Sequence, residues 1–216
     1  FSEIISDPQT SRVPAAKYAE SAREIRDSSR HLLSIIDDLL DIARIESGSI
    51  ELSQETICAE HMFETVTRSL APLAEKRGVT LSCQPSRVET MLLADPRLVR
   101  QILTNLVTNA IKFTPSGGEV TIGADLVHNG SVVLWVRDTG IGIAPENLDK
   151  IFEPFTQIED ALNRNFEGVG LGLSIALHLA RAHGGVLTLN SKLGEGTTVR
   201  FTVPSWRMDS VRRQVA

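Results

Sequence analysis

DPRLVRQILTNLVTNAIKFTP, residues 95–115, is the stretch that decides how the chain is read. Asp95-Pro96 marks a helix start, with Asp as cap and Pro at the first helical position. From there Leu98, Ile102, Leu106 and Ala110 make one apolar stripe, broadened by Leu103 and Val107. Asn105, Asn109 and Lys112 fall at i, i+4 and i+7 and share the opposite face. Two carboxamides and an ammonium on one face can serve a metal-bound polyphosphate. A plain surface helix with its polar side outward has the same pattern, so the helix alone does not decide between them.

Downstream come three glycine-rich groups. Asp138-Thr139-Gly140-Ile141-Gly142-Ile143 directly follows a β-rich run. Asp138 at a strand end can accept a hydrogen bond from an exocyclic amine, and Gly140 and Gly142 allow backbone to approach a flat ring. The same D-T-G is also ordinary turn chemistry. In Glu167-Gly168-Val169-Gly170-Leu171-Gly172-Leu173, alternate glycines lead into a helix. They offer free backbone N–H groups and the positive end of a helix dipole to phosphate. Gly194-Glu195-Gly196-Thr197 stands between the last two strands, where a tight hairpin would suffice to explain it.

Between these groups, SIELS, VTLSCQ, TMLLA, EVTIGADLV, SVVLWVRD, GVLTLNS and TTVRFTVP read as strands. Asn129-Gly130 signals a hairpin. Glu60–Arg77, ended by Gly78, and Leu173–His183 read as helices. Strands and helices in this order imply a two-layer α/β sandwich. Upstream the texture differs. FSEIIS looks like the end of a helix stopped by Asp7-Pro8. From Pro14 to about Glu46, Tyr18, Ala22, Ile25, Ser29, Leu32, Ile36, Leu39 and Ala43 alternate steps of four and three. Leu33, Leu40, Ile35 and Ile42 widen that seam beyond what one partner helix covers. The expectation is a four-helix bundle closed as a homodimer. The fold class is therefore α+β, a bundle hairpin followed by the sandwich. The divisions fall at 1–54, 55–204 and a polar tail, 205–216.

Composition narrows the function. The 216 residues are 42% hydrophobic and 23% charged, as in a globular protein. No apolar run reaches the length of a membrane span. The chain opens at Phe1 without an initiator Met or signal-peptide pattern, as expected of a cytoplasmic fragment whose parent could carry a membrane anchor elsewhere. Cys58 and Cys83 have no metal-ligand spacing and suit a reduced compartment. The net charge is −5, and most of the excess lies before residue 55, where six basic side chains face ten acidic ones. No basic patch with interleaved aromatics occurs, which argues against nucleic acid as a partner.

In this order, the motifs resemble those of two-component sensor histidine kinases. NLVTNAIKFT is similar to that family's N box, DTGIGI to the G1 box and FEPF, residues 152–155, to the F box. GVGLGL is similar to the G2 box and GEGT to the final glycine box. SSRHLLSIIDDLLDIARIESGSIEL resembles the second helix of the dimerisation and phosphotransfer domain. FSEII looks most like alphaproteobacterial cell-cycle kinases of the DivJ and PleC type. The likeness runs to about Pro204.

It implies a Bergerat-type ATP-binding fold, a mixed sheet with helices on one face, and a site for ATP and Mg²⁺. Asn109 would ligate Mg²⁺ with Asn105 in support, Lys112 would contact phosphate, and Phe113 would pack near the adenine. Asp138 would select the base, with Gly140, Gly142, Ile143 and Thr197 around it. Gly168, Gly170, Leu171 and Gly172 would close over the phosphates, and Arg164 would help the γ-phosphate. Phe152 and Phe155 would anchor a mobile lid over roughly 144–167. Two positions depart from the family pattern: Val169, where Thr is frequent, and Asn165, where a second basic residue is common.

The resemblance further implies a phosphoacceptor His on the first bundle helix, followed by an acidic residue and Pro. None of His31, His61, His128, His178 and His183 has that context, so the acceptor is expected upstream of Phe1. The implied activity is γ-phosphoryl transfer to that His, then to an Asp of a response regulator receiver domain. Regulator docking is expected near Phe1, Tyr18, Ala22 and Arg26. Hydrolytic ATPases of the same nucleotide fold place a Glu where Asn105 stands, to activate water. An amide cannot serve as that base. A degenerate kinase acting as a dimeric scaffold is the other reading, and a serine-directed kinase fits poorly with the long bundle helix.

Overall fold

Ala15–Glu46 form one uninterrupted helix, α1, of 32 residues, with no internal Gly or Pro to break it. Its apolar seam lies uncovered in the single chain: Leu32, Leu33 and Leu40 are 58%, 60% and 52% exposed, and Ile36 and Leu39 over 40%. Helices gain most of their stability by packing such a stripe, each large side chain contributing roughly 1.5–3 kcal/mol when fully buried. The structure is a computed structural model that describes residues 15–46, 51–85, 89–127, 130–156 and 169–207. The FSEIIS segment and the Asp7-Pro8 stop lie outside the described residues. The chain divides into two compact units, Phe1–Ser47 and Gly48–Ala216.

The second unit runs β1 (Glu55–Cys58), α2 (Ala59–Arg77), β2 (Thr80–Cys83), β3 (Met91–Ala94), α3 (Pro96–Phe113), β4 (Glu119–Leu126) and β5 (Val132–Asp138), then α4 (Gly172–Ala182), β6 (Val186–Lys192) and β7 (Gly196–Val203). Five strands make one mixed sheet in the order β2-β4-β5-β7-β6, with β2 parallel to β4 and the rest antiparallel. Alternation along the strands sends Val120, Ile122, Leu134, Val136, Val199 and Phe201 into the core, each 8% exposed or less. Against them lie Val99, Ile102, Leu103, Leu106 and Ile111 of α3, none above 2%. Val99, rather than the predicted Leu98, opens the buried stripe of α3; Leu98 is half-buried.

Two expectations are corrected. The described part of SIELS, residues 51–53, is not a strand; the strand is Glu55–Cys58, antiparallel to β3. The reason is pairing: β3 needs a partner, and ETIC places Ile57 opposite the fully buried Leu92. The predicted tail also starts too early. Ser205–Arg207 form a 3₁₀ turn in which Arg207 is 4% exposed and donates from Nη1 to the Leu93 carbonyl at 3.1 Å. Arg207 buries its stem while its guanidinium finds a carbonyl, which composition alone conceals. The β4–β5 hairpin forms, closed by Val127 N–H to Ser131 C=O at 2.9 Å, with His128 and Asn129 outside the described residues.

Helix α3 is fastened at its start. Asp95, 0% exposed, caps it by accepting from the N–H groups of Arg97 (2.9 Å) and Leu98 (3.3 Å) on Oδ1. Its Oδ2 accepts from Ser53 N–H at 3.0 Å and from the Arg97 guanidinium at 3.2 Å. Burial pushes this carboxyl's pKa up, but those four donors outweigh it and hold it below the usual range. The Asp95 N–H donates to His183 Nε2 at 3.2 Å, so His183, 1% exposed at the end of α4, is neutral and carries its proton on Nδ1, which faces Leu179 C=O at 2.8 Å.

Candidate active site

At the other end of the core face, register sets three polar side chains in a row: Asp138 of β5 opposite Thr197 of β7, and Thr197 opposite Ser191 of β6. Asp138 Oδ1 accepts from Gly140 N–H at 2.8 Å and Thr197 N–H at 3.2 Å. No hydrogen bond reaches its Oδ2 from the described residues. Burial raises the Asp138 pKa against the lowering effect of the two amides. The second carboxylate oxygen is thus an acceptor without a donor among the described residues.

The loop after Asp138 is clamped from two sides. Ile141 N–H donates to Phe113 C=O at 3.2 Å, and a Cβ on Gly140 would meet that same carbonyl oxygen at 2.5 Å. Gly142, at φ +68°, leaves no room for a side chain against the Lys192 carbonyl of the β6–β7 hairpin. Gly194 N–H returns to Ile141 C=O at 2.7 Å, and Ile143 N–H donates to Ser191 Oγ at 2.8 Å. Here Gly140 and Gly142 make close approach to the protein's own backbone, and through it they set the loop that edges Asp138.

Asn105 and Asn109 project from α3 toward the start of α4. Asn105 Nδ2 donates to Gly172 C=O at 3.2 Å, and a Cβ on Gly172 would lie 3.7 Å from both Asn105 Cγ and Asn109 Nδ2. The side chain of Asn109, half-buried, makes no hydrogen bond among the described residues, so its carboxamide oxygen is available. Gly172 starts an 11-residue helix whose first-turn N–H groups face an anion favourably. The Asn face, an uncommitted amide and a helix N-terminus thus share one place.

Lys112 lies half-buried beside Phe113, its Nζ 5.0 Å from the ring centroid. Desolvation lowers its pKa first, and the charge of Arg77 lowers it further. Arg77 Nη1 donates to Lys112 C=O at 3.4 Å. The two cations, with Phe113, Thr114, Ser116 and Ile141, line a cleft of about 320 Å³. Among the described residues no cluster of three or more His, Cys, Asp or Glu could hold a metal, so an ion here would need oxygens from a ligand.

Residues 94–207 match the family described as histidine kinase-, DNA gyrase B-, and HSP90-like ATPase. The chain belongs to this family. Within it, the chain is similar to sensor histidine kinases, among them alphaproteobacterial cell-cycle kinases. It is 40% identical over 188 residues to the histidine protein kinase DivJ of Caulobacter vibrioides, covering 87% of this chain and 31% of that one. It is 38% identical over 216 residues to a sensor-like histidine kinase of Rhizobium meliloti, covering 100% of this chain and 41% of the relative. Full-length ShkA, solved in complex with AMPPNP, superposes with a TM-score of 0.79 at 32% identity, covering 94% of this chain and 41% of that one. The chain thus spans less than half the length of the curated relatives it matches, 21% to 41%.

For a member of this ATPase family, the predicted site residues distribute unevenly. Asn105, Asn109, Lys112 and Phe113 come from α3, while Asp138, Gly140, Gly142, Ile143 and Thr197 gather at the sheet end and its loop. Leu171 is 2% exposed and serves the core. Phe155 is 59% exposed at φ +63°, and Gly170 packs so closely on it that a Cβ would meet Thr156 O at 2.6 Å. The F box and G2 box therefore touch through backbone, with the Phe155 ring exposed. Phe152 is half-buried. Arg164, Asn165 and Gly168 lie outside the described residues. No helix among the described residues is long and apolar enough to cross a membrane. Sequence reasoning missed Ser191 and Arg77: both act through neighbours that only the register or the helix packing brings near.

Proposed function

We propose that the chain is the ATP-binding core of a histidine kinase that transfers the γ-phosphoryl group of Mg-ATP to a histidine upstream of Phe1, and thence to an aspartate of a response regulator receiver domain. The observation that carries this reading is Asp138: one oxygen is saturated by two backbone N–H groups, the other is left for a donor. The adenine amine is such a donor.

Asn109 would hold Mg²⁺ through its carboxamide oxygen, Asn105 would brace that side by its bond to Gly172, and Lys112 would meet phosphate. The ion fits a neutral amide supplemented by phosphate oxygens and water, and when bound it would neutralise charge on the phosphates. Phosphoryl transfer asks a protein mainly for positioning and charge compensation, and these residues supply both. Asn105 offers no base for water, which favours transfer to a side chain over hydrolysis. Arg164 and Gly168 complete the lid in this reading, with Phe152 and Phe155 at its hinge end.

The exposed seam of α1 supports a homodimer through a four-helix bundle, checked by the mass of the protein in solution. Receiver docking falls on the bundle near Phe1, Tyr18, Ala22 and Arg26. The decisive experiment uses the parent protein with its upstream segment, labelled ATP and a receiver domain. Label should appear on histidine, then move to the receiver; Asn109→Asp should reduce the first step by about a hundredfold or more. Full autophosphorylation in that variant would remove Asn109 from the metal site.

A further inference from the structure

Ser191 is a hub that the nucleotide reading does not use. It lies in β6, part-buried, one strand beyond Thr197 and two beyond Asp138. Its Oγ donates to Gly196 C=O at 3.0 Å, accepts from Ile143 N–H at 2.8 Å, and lies 2.8 Å from Thr197 Oγ1. A hydroxyl has one proton and two lone pairs. With the Ser191 proton directed to Gly196, the contact with Thr197 requires Thr197 to be the donor. The Thr197 proton is thereby turned toward Ser191, and Thr197 Oγ1 shows only lone pairs elsewhere.

We propose that Ser191 is a positioning residue for base selection, acting by fixing the direction of the Thr197 hydroxyl proton. The proposal rests on the reading of Asp138 as the base contact. Asp138 Oδ1 is saturated, so the atoms left for a ligand, Asp138 Oδ2 and its register neighbour Thr197 Oγ1, are both acceptors. A purine with a 6-amino group supplies donors to them. A purine with a 6-oxo group can still offer its N1–H to one acceptor, but it sets the 6-oxo oxygen against the other in a half-buried site, where an unpaired polar group is costly. A free threonine hydroxyl would rotate and donate to the 6-oxo oxygen; Ser191 prevents that rotation. The same Ser191 oxygen anchors the Ile143 amide, so one side chain sets both the loop and the polarity beside Asp138.

The test is competition binding of ATP and ITP to the full chain. Wild type should prefer ATP. Ser191→Ala should narrow the ATP-to-ITP preference by about tenfold, beyond any loss common to both nucleotides. Ser191→Thr, which keeps a hydroxyl and suits a strand, should restore it. Thr197→Val, similar in shape but without the acceptor, should narrow the preference too. If Ser191→Ala does not fold, Ser191→Cys replaces it, its thiol being a weak donor and acceptor. An unchanged ratio in the Ser191 variant, or equal weakening of ATP and ITP with a lower melting temperature, would overturn the proposal and leave the Asp138 reading intact. Equal binding of ATP and ITP by wild type would overturn both.

Discussion

The two ends of helix α3 both carry polar side chains, and they treat them in opposite ways. At the start, Asp95 is fully buried, both carboxylate oxygens are filled from within the chain, and its N–H is matched by His183. Toward the end, Asn109 and Lys112 sit half-exposed on one face, the Asn109 side chain with no partner among the described residues, facing the start of α4. Polar groups whose partners lie within the chain stabilise the fold. The Asn109 carboxamide, beside an anion-attracting helix end, is instead open to a ligand. Asp138 combines the two treatments in one carboxylate, with one oxygen held by backbone amides and the other without a donor among the described residues.

The largest effect should come from breaking that division at Asp138. Asp138→Asn can keep both backbone donors on Oδ1 but turns an amide donor toward the ligand. ATP affinity should fall by about a hundredfold or more, read by calorimetry. The raised pKa of Asp138 fixes the sign of the stability change. Between its unfolded and folded pKa the native state holds more protons, so stability falls as pH rises through that window and the ionised group costs stability at neutral pH. The Asn variant should therefore melt no lower than wild type at pH 7, and a large drop in melting temperature would make Asp138 structural.

Asp95→Ala inverts the outcome. It strips a helix cap and leaves Ser53, Arg97 and Leu98 N–H groups without their acceptor, costing about 2 kcal/mol or more by denaturant unfolding. ATP affinity of the folded fraction should stay within about threefold of wild type. A loss of nucleotide binding without a loss of stability would abolish the contrast between the two ends.

A smaller effect belongs to His183. Burial and Arg207 lower its pKa from the ordinary 6.5, against the raising effects of the Leu179 carbonyl and Asp95. Protonation would set an N–H against the Asp95 N–H. With the folded pKa depressed, its stabilisation is present above about pH 6.5 and is lost as pH falls through the folded value. Melting temperature should decline from about pH 7 toward pH 5, and His183→Gln should flatten that slope. An equal slope in the variant would assign the acid sensitivity to other groups.

The legible parts of this molecule were those written in neighbouring residues. Asp95-Pro96 announces the cap and start of α3, and the Asn105, Asn109, Lys112 spacing announces its open face, because helical periodicity is local. The strands with clean alternation were visible for the same reason. Glu55–Cys58 was not, since four residues carry too little period and its pairing depends on β3 thirty-odd positions later. Ser191 reads as one polar residue in a strand; its bonds to Ile143 and Thr197 exist only in the register. Arg207 hides in a polar ending because its burial depends on the Leu93 carbonyl, 114 positions away.

The sheet order has a consequence for how the molecule comes into being. β7 is the last strand in sequence yet lies inside the sheet, between β5 and β6. The Thr197 amide that completes Asp138 comes from that strand, 59 residues downstream. A ribosome-bound chain can form α3 and the β4–β5 hairpin early, but it holds an open gap beside β5 until the final strand emerges and inserts. The polar cluster at Asp138 is thus assembled late, by the most non-local pairing in the sheet, and every truncated translation product lacking β7 is born without it.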